Sequence, residues 1–167
     1  MGKLEGDGLP IPDSLAFAGR SGVRFADDAD VVAYDRRADD WFPRTDQDGN
    51  PLHSWARFHQ KAIDHIERDL RGRRTYAEPF DLGRIGERSR RHLRDAHIAL
   101  VLHFMCVEAD TQGDVNGFYS RTGMYYLRMA KGVIDTESVA LDYDEANDGT
   151  VGEGEKQRPI VTMFLRG

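Results

Sequence analysis

Apolar residues recur at helical spacing in four stretches of the chain, and the first stretch follows Asp27. Asp27 is a good N-cap, and acid in the first turn at Asp28 and Asp30 suits the positive end of a helix. The pattern predicts a helix from about Asp28 to Asp40, which ends before Pro43. Its apolar positions are Val31, Tyr34, Ala38 and Trp41.

A second helix is predicted from about Trp55 to Leu70, with Ser54 as its N-cap and Gly72 as its stop signal. Charged side chains cover the opposite face, and the whole pattern is amphipathic. The loop that follows contains Pro79, and a short helix is predicted near Asp81. The apolar stripe of the second helix consists of Trp55, Phe58, Ala62, Ile63, Ile66 and Leu70.

The third helix, predicted from about Glu87 to Ala109, changes character along its length. Its first half is polar and basic. Its second half is apolar nearly all round, which predicts burial on most sides and makes this helix the centre of the core. We expect the first half to lie at a surface or an interface.

The fourth helix is predicted from about Val115 to Gly132, with Gly132 as its C-cap. Gly117 and Gly123 each weaken it by up to about 1 kcal/mol relative to alanine. Close packing against the third helix is the reason we expect for these glycines. A broad apolar face is predicted from Phe118, Thr122, Tyr125, Tyr126, Met129 and Val133.

Both ends of the chain lack this periodicity. Residues 1–26 are rich in glycine and read as an extended arm, and residues 135–157 as an acidic linker. Residues 158–167 contain a run of β-branched and aromatic side chains, which predicts a single strand that pairs elsewhere. The predicted fold is mainly α. It is a small bundle of about four helices over residues 27–134, with an N-terminal arm and a C-terminal strand.

Composition narrows the class of protein. The chain has 167 residues and a formal charge of −6, which disfavours a generic basic nucleic-acid binder. No apolar run approaches the ~20 residues of a membrane span, and no apolar segment typical of a secretory signal follows Met1. Cys106 is the single cysteine, so an intrachain disulfide is excluded and a reducing compartment is the simplest interpretation.

The charge is unevenly distributed. Residues 1–54 carry a net −5, residues 55–109 a net +3 and residues 110–167 a net −4, and the basic residues comprise 19 Arg and 4 Lys. Nine arginines lie within positions 68–94. We leave three interpretations open: a solvated surface, an ion-pairing interface with a neighbouring copy, or contact with nucleic-acid phosphates. The candidate positions are Arg71, Arg73, Arg74, Arg84, Arg88, Arg90, Arg91 and Arg94.

The sequence contains no recognisable catalytic or metal-binding motif. None of the six histidines forms a helical i, i+4 pair, and two partial calcium loops, around Gly49 and Gly149, lack oxygen donors at required positions. His103 and Cys106 are close enough on one predicted helix to touch, but a nucleophile within an apolar helix lacks access. We therefore expect no enzymatic activity, no metal and no cofactor.

The order of the helices carries a resemblance. The segments are FHQKAIDHIERDLRGR (Phe58–Arg73), a proline-containing loop, LRDAHIALVLHFMCVEA (Leu93–Ala109) and GFYSRTGMYYLRMAKGVI (Gly117–Ile134). This pattern resembles the head–tail connector, or adaptor, proteins of tailed bacteriophages and related phage-like particles. The resemblance covers about residues 27–141 and does not extend to the longer N-terminal region.

The resemblance implies a structural protein in the neck of a virion, assembled in the host cytoplasm. Copies would form a ring, usually of twelve, between the portal protein and a tail-side neck protein or tail terminator. The double-stranded DNA genome would pass through its lumen. The C-terminal tail of such proteins commonly engages the portal. The matching residues here are Pro159, Ile160, Val161, Thr162, Met163, Phe164, Leu165, Arg166 and Gly167.

Two features of the sequence agree with this implication. The lone C-terminal strand needs a partner outside the helical core, and unlike charged segments suit the unlike patches that meet when a ring closes. The alternative is a small DNA-binding or regulatory protein that uses the arginines of positions 68–94. A small enzyme built on His103 and Cys106 is a further, weaker alternative.

Overall fold

The computed structural model describes residues 23–45, 48–52, 54–73, 79–111, 117–144 and 148–152. These residues are mainly helical, as predicted, and they contain no strand beyond two isolated bridges, Thr45 with Pro51 and Ile85 with Tyr143. They form five α-helices and one short 3-10 helix, Leu82–Arg84. The α-helices are α1 (Asp28–Tyr34), α2 (Arg37–Trp41), α3 (Ala56–Arg71), α4 (Glu87–Thr111) and α5 (Phe118–Val139).

The single helix predicted for 28–40 is two helices. Asp27 caps α1 as expected, in a capping box with Asp30. The chain then becomes extended at Asp35, whose carboxylate accepts from the backbone N–H and the side chain of Arg37 and from the hydroxyl of Tyr126. A side chain with three such contacts offers the backbone an alternative to continuing the helix, and this ends α1.

The apolar stripe predicted for the second helix is confirmed. Phe58, Ala62, Ile63, Ile66 and Leu70 are all buried on α3. The start differs by one residue, because Trp55 rather than Ser54 is the N-cap. The Ser54 hydroxyl accepts a bond from the backbone N–H of Ala56. The Trp55 ring is fully buried, and its Nε1 donates to the carbonyl oxygen of Phe42 at 3.0 Å.

Helix α4 is the centre of the core, as predicted. Every residue from Ala96 to Leu102 is buried, and Met105 and Cys106 continue the buried surface. The predicted short helix is the 3-10 helix capped by Asp81, whose carboxylate accepts from the backbone N–H of Gly83.

Helix α5 differs from its prediction in length and orientation. It continues seven residues past the predicted end at Gly132, to Val139. Of the predicted face only Tyr126 is buried; Tyr125 is 59% exposed and Phe118 is 40% exposed. The face that packs on the core is offset from the predicted one. It consists of Gly123, Tyr126, Ala130, Ile134, Glu137 and Ser138.

The predicted role of Gly123 is confirmed. A Cβ atom at Gly123 would lie 3.0 Å from the Cβ of Cys106 on α4, so the two helices approach closely because this residue has no side chain. The predicted role of Gly132 as a helix stop is wrong.

The predicted start of the acidic linker, at residue 135, is too early in the sequence. Residues 135–139 are helical, and residues 141–144 are buried. This segment lies beside the start of α4: the N–H of Gly86 donates to the Asp142 carbonyl at 2.8 Å, and the N–H of Asp144 donates to the Arg84 carbonyl at 2.9 Å. The Tyr143 ring stacks on Phe80. The core therefore extends to Asp144.

The core also begins earlier than residue 27. Ala26 is buried, and Val23 and Phe25 pack partly buried against the core. The rest of the predicted arm, residues 1–22, and the predicted strand, residues 158–167, lie outside the described residues.

Candidate functional site

Most of the described arginines of positions 68–94 are held by acceptors of the same chain. Within helices, Arg71 pairs with Glu67, and Arg91 pairs with Glu87. Arg90 donates to the carbonyl oxygens of Ile85 and Gly83, each at 2.7 Å, so it closes the turn before α4. Arg84 is also engaged, and Arg74 lies outside the described residues.

Three further arginines join the basic middle of the chain to its acidic flanks. Arg94 pairs with Asp30 of α1, and Arg73 pairs with Asp135 of α5. Arg88 binds Asp142, with its Nε 2.9 Å from Oδ2, and also donates to the carbonyl oxygen of Ala140. For these three arginines, the carboxylate partners that an ion-pairing interface would take from a neighbouring copy are supplied by the same chain.

These arginines stay accessible. The side chains of Arg91 and Arg71 are 75% and 60% exposed. A phosphate approaching them has to compete with a carboxylate already in place, which weakens the electrostatic attraction of the surface for nucleic acid. The placement favours solvated ion pairs over an open phosphate-binding surface.

A hydrogen-bonded row of buried polar side chains crosses the core between α1, α3 and α4. Asp28 Oδ1 lies 2.8 Å from His59 Nε2, and His59 Nδ1 lies 2.7 Å from His97 Nε2. Both imidazoles are fully buried, and Nδ1 of His97 has no hydrogen-bond partner among the described residues. Burial, together with the nearby His59 and Arg24, holds the pKa of His97 well below its usual value.

One assignment of the ring protons satisfies the hydrogen bonds of these three groups. His97 Nε2 donates to His59 Nδ1, and His59 Nε2 donates to the Asp28 carboxylate. The only unpaired atom is then the Nδ1 lone pair of His97, and an unpaired acceptor is less costly than an orphaned N–H. The burial of His59 could have been predicted from the sequence, because His59 falls on the same helical face as Ile63 and Ile66.

His103 and Cys106 lie where α4 crosses Gly123 of α5. His103 Nδ1 donates to the carbonyl oxygen of Gly123 at 2.9 Å, so one of its ring nitrogens is occupied. Burial raises the pKa of the Cys106 thiol to about 12. A fully buried thiol that stays protonated near neutral pH packs as an apolar group and does not act as a nucleophile.

An apolar row along α5 is only partly covered by the rest of the molecule. Phe118 and Tyr125 are exposed, while Met129 and Val133 are half-buried; we call these four residues the α5 stripe. Residues of α1 and α2 border it: the Trp41 ring lies 6.2 Å from that of Phe118, and the Tyr34 hydroxyl contacts Met129 Sδ at 3.7 Å. Exposed aromatic and methionine side chains in a row are typical of protein-binding surfaces.

The α5 stripe leads into a groove between the first half of α4 and the second half of α5. The groove has a volume of about 500 Å³. Its polar lining is His92, Asp95, Thr136 and Glu137, and its apolar lining includes Met129 and Val133.

Within the described residues, no grouping of histidine, cysteine and carboxylate side chains has the arrangement of a metal site. None of the described helices is long and apolar enough to cross a bilayer. The candidate portal-binding residues, 159–167, lie outside the described part of the chain.

No protein-family model matches the chain, and comparison with curated proteins and with solved structures finds no match.

Proposed function

We propose that the protein is a structural adaptor in the neck of a tailed phage or phage-like particle, with no catalytic role. In this proposal the helices form a small bundle, copies of the chain form a ring beneath the portal, and the genome passes through the ring. Residues 158–167 form a strand that docks on the portal. A tail-side neck protein or tail terminator binds the opposite face.

The observation that carries the proposal is the partly exposed α5 stripe. Phe118 and Tyr125 stay exposed on a long helix, and Tyr34 of α1 contacts Met129 of the same stripe. Burying such a row against another protein stabilises an assembly at roughly 25 cal/mol per Å² of apolar area. The order α3, loop, α4, α5 supports the same proposal, because it follows the helix order of the adaptor proteins.

The reactive side chains of the core are inaccessible to solvent, which also favours an assembly role. Cys106 is buried and protonated, and the His59–His97 pair is sealed from solvent. Five of the arginines that a DNA-binding regulator would use are paired with carboxylates of this chain: Arg71, Arg73, Arg88, Arg91 and Arg94. Binding surfaces for protein are therefore better supported than a reactive site or a phosphate-binding face.

The test is assembly on a portal ring from the same genome. We expect the full-length protein and the portal to form a complex of defined copy number, measured by native mass spectrometry. Removal of residues 159–167 is expected to abolish docking while the helical circular dichroism and the melting temperature of the core stay unchanged. Phe164→Asp in the full chain is a second test, with Phe164→Leu as its matched control.

A separate measurement addresses the DNA-binding alternative. Replacing Arg91 and Arg71 by Glu should leave docking on the portal unchanged, because both arginines pair locally within their helices.

Normal portal docking by the protein that lacks residues 159–167 would contradict the assignment of these residues to portal binding. Tight, steeply salt-dependent DNA binding that the two Glu replacements abolish would contradict the adaptor role.

A further inference from the structure

Three aromatic rings meet at the Phe118 end of the α5 stripe. The centroid of the Trp41 ring lies 6.2 Å from that of Phe118 and 5.8 Å from that of Tyr119. Phe118 is 40% exposed, and Tyr125, two turns further along α5, is 59% exposed. Aromatic-lined surfaces commonly bind extended segments that contain proline, because such segments lose little conformational entropy on docking. This end of the stripe therefore suits a short apolar segment with proline residues.

The helix that carries the stripe is basic at its surface. From residue 118 to residue 134, α5 contains three basic side chains and no acidic one; all three, Arg121, Arg128 and Lys131, are exposed. Arg121 and Arg128 lie one turn before and one turn after Tyr125, so they flank the stripe directly. Charge complementarity therefore favours an occupant that has acidic side chains and no basic ones.

Two apolar segments of the chain lie outside the described residues, and their charges distinguish them. Residues 156–167 contain three basic side chains and no acidic one, so the surface of α5 disfavours them. Residues 4–18 contain three acidic side chains and no basic one. Within them, residues 9–17, which we call the apolar arm, combine four large apolar side chains with Pro10 and Pro12. The apolar arm is therefore the better match to the stripe.

The apolar arm can reach the stripe of its own molecule. Val23 lies four residues before the cap of α1 at Asp27, and Tyr34 at the end of α1 contacts Met129 of the stripe. Four extended residues span at most about 14 Å and the seven residues of α1 span about 10 Å, so Val23 lies within about 25 Å of Tyr34. Pro12 lies eleven residues before Val23, and eleven residues span up to about 37 Å.

The short connection also favours the same molecule over a second one. A segment joined to its binding site by a short linker has an effective concentration of the order of millimolar. A second copy of the chain in dilute solution is far below that concentration, so its arm competes poorly for the same stripe. The arm of the same chain is therefore the favoured occupant.

We propose that in the free protein the apolar arm docks on the α5 stripe of the same chain. Its apolar side chains cover Phe118 and Tyr125, and the carboxylate of Asp13 lies on the side of Arg121 and Arg128. The inference adds regulation to the proposed function and rests on it in one respect: the arm covers the surface proposed for assembly until a partner displaces it.

The test uses a nitroxide label in the arm of the full-length ¹⁵N-labelled protein and measures the broadening of amide resonances. Ser14→Cys supplies the attachment site. Buried Cys106 does not react near neutral pH, because burial raises the pKa of its thiol to about 12. We expect the amide resonances of Tyr125 and Met129 to lose most of their intensity. The parent protein treated with the same reagent is the control and should show no loss.

A mixed sample distinguishes the same chain from a second copy. It contains ¹⁵N-labelled protein without the nitroxide and protein of natural isotope content that carries the nitroxide. We expect no broadening in this sample at concentrations well below a millimolar. Broadening as strong as in the singly prepared protein would overturn the proposal, because the arm would then dock on another molecule.

Two further variants make the measurement specific to the stripe. Tyr125→Asp places a carboxylate at an exposed position of the stripe and should abolish the broadening at Met129, while the helical circular dichroism is kept. Leu52→Asp, at an exposed apolar position outside the stripe, is the matched control and should leave the broadening unchanged. Replacing Arg121 and Arg128 by Glu should weaken it several-fold.

Absence of broadening along the stripe, or full broadening in Tyr125→Asp, would also overturn the proposal. All of these measurements are made on the free protein without the portal. Their outcome is therefore separate from the assembly of the full-length protein on a portal ring, which tests the adaptor role.

Discussion

Two glycines of α5 have opposite surroundings. Gly123 faces α4 so closely that an added Cβ would lie 3.0 Å from the Cβ of Cys106 and 3.5 Å from His103 Nδ1. Gly132 faces open space. The same residue type therefore permits helix packing at one position and only weakens the helix at the other.

Alanine at these positions should change stability in opposite directions. Gly123→Ala sets a new Cβ 3.0 Å from the Cβ of Cys106, which has to shift by a few tenths of an ångström, and overpacking of this kind costs about 1–3 kcal/mol. Gly132→Ala adds helix propensity without a clash and should stabilise the protein by about 0.5–1 kcal/mol. Urea unfolding measures both, and each variant is the control for the other. Equal effects in one direction would contradict this account of the helix contact.

Buried His97 makes the stability depend on pH. The folded protein keeps His97 neutral, because burial lowers its pKa well below the usual value of a histidine side chain. The unfolded chain takes up a proton there near that value. Between the two pKa values the unfolded state binds more protons, so stability falls as the pH falls. Burial lowers the pKa of His65 and His103 as well, which adds to the same trend.

We expect the free energy of unfolding to decrease between about pH 7.5 and about pH 5.5. His97→Gln removes one titrating group and keeps a polar side chain beside His59, so its unfolding free energy should depend less steeply on pH. Urea titrations at the two pH values measure the slope. A slope as steep as that of the parent protein would show that His97 does not contribute.

At the scale of the elements, end groups decide where α1 begins and stops. Asp27 and Asp30 form the capping box at its start, with Asp30 N 2.9 Å from Asp27 Oδ1. Asp35 ends it, and the hydrogen bond from Arg37 is the main reason that the pKa of the Asp35 carboxyl falls to about 2. The carboxylate of Asp35 also accepts from Tyr126, so the break between α1 and α2 is tied to α5.

Loss of the cap should be measurable. Asp27→Ala removes the acceptor for the Asp30 N–H and should cost about 1 kcal/mol of stability. Asp40→Ala on α2 is the control, because its exposed carboxylate makes no cap contact. Thermal unfolding followed by circular dichroism compares the two. A melting temperature of Asp27→Ala equal to that of the control would contradict the capping role.

At the scale of the whole molecule, long-range ion pairs tie the acidic flanks to the basic middle. Arg88 at the start of α4 contacts Asp142, the carbonyl oxygen of Ala140 and, more distantly, Glu137. It thereby holds the segment after α5 against the start of α4, where the Gly86 N–H and the Asp142 carbonyl also meet. The uneven charge of the chain thus provides ion pairs between distant segments of one monomer.

Removing this tie should destabilise the fold more than removing a local pair. Arg88→Gln leaves Asp142, whose side chain is 11% exposed, without its cation, at a cost of about 1–3 kcal/mol. Arg91→Gln is the matched control, because exposed i, i+4 pairs contribute only about 0.3–0.5 kcal/mol. Urea unfolding with equal midpoints for the two variants would contradict a structural role for Arg88.

Much of the helical architecture was predictable, because it rests on local pattern. The stripe from Phe58 to Leu70 and the apolar second half of α4 indicated both helices and their burial. The buried face of α5 was not predictable, because Tyr125 and Tyr126 are equally apolar and only contact with α4 selects Tyr126. The same holds for residues 141–144, whose acidic composition concealed the buried Leu141 and Tyr143.

The sequence by itself determined the helical character, the cap at Asp27 and the central place of α4, because these follow from neighbours a few positions apart. Only the tertiary structure determined which distant residues contact each other. His59 meets His97 across 38 positions, and Arg88 meets Asp142 across 54. Such pairs depend on how helices cross, which no periodicity encodes. The groove beside Glu137 exists for the same reason, since its two walls belong to different helices.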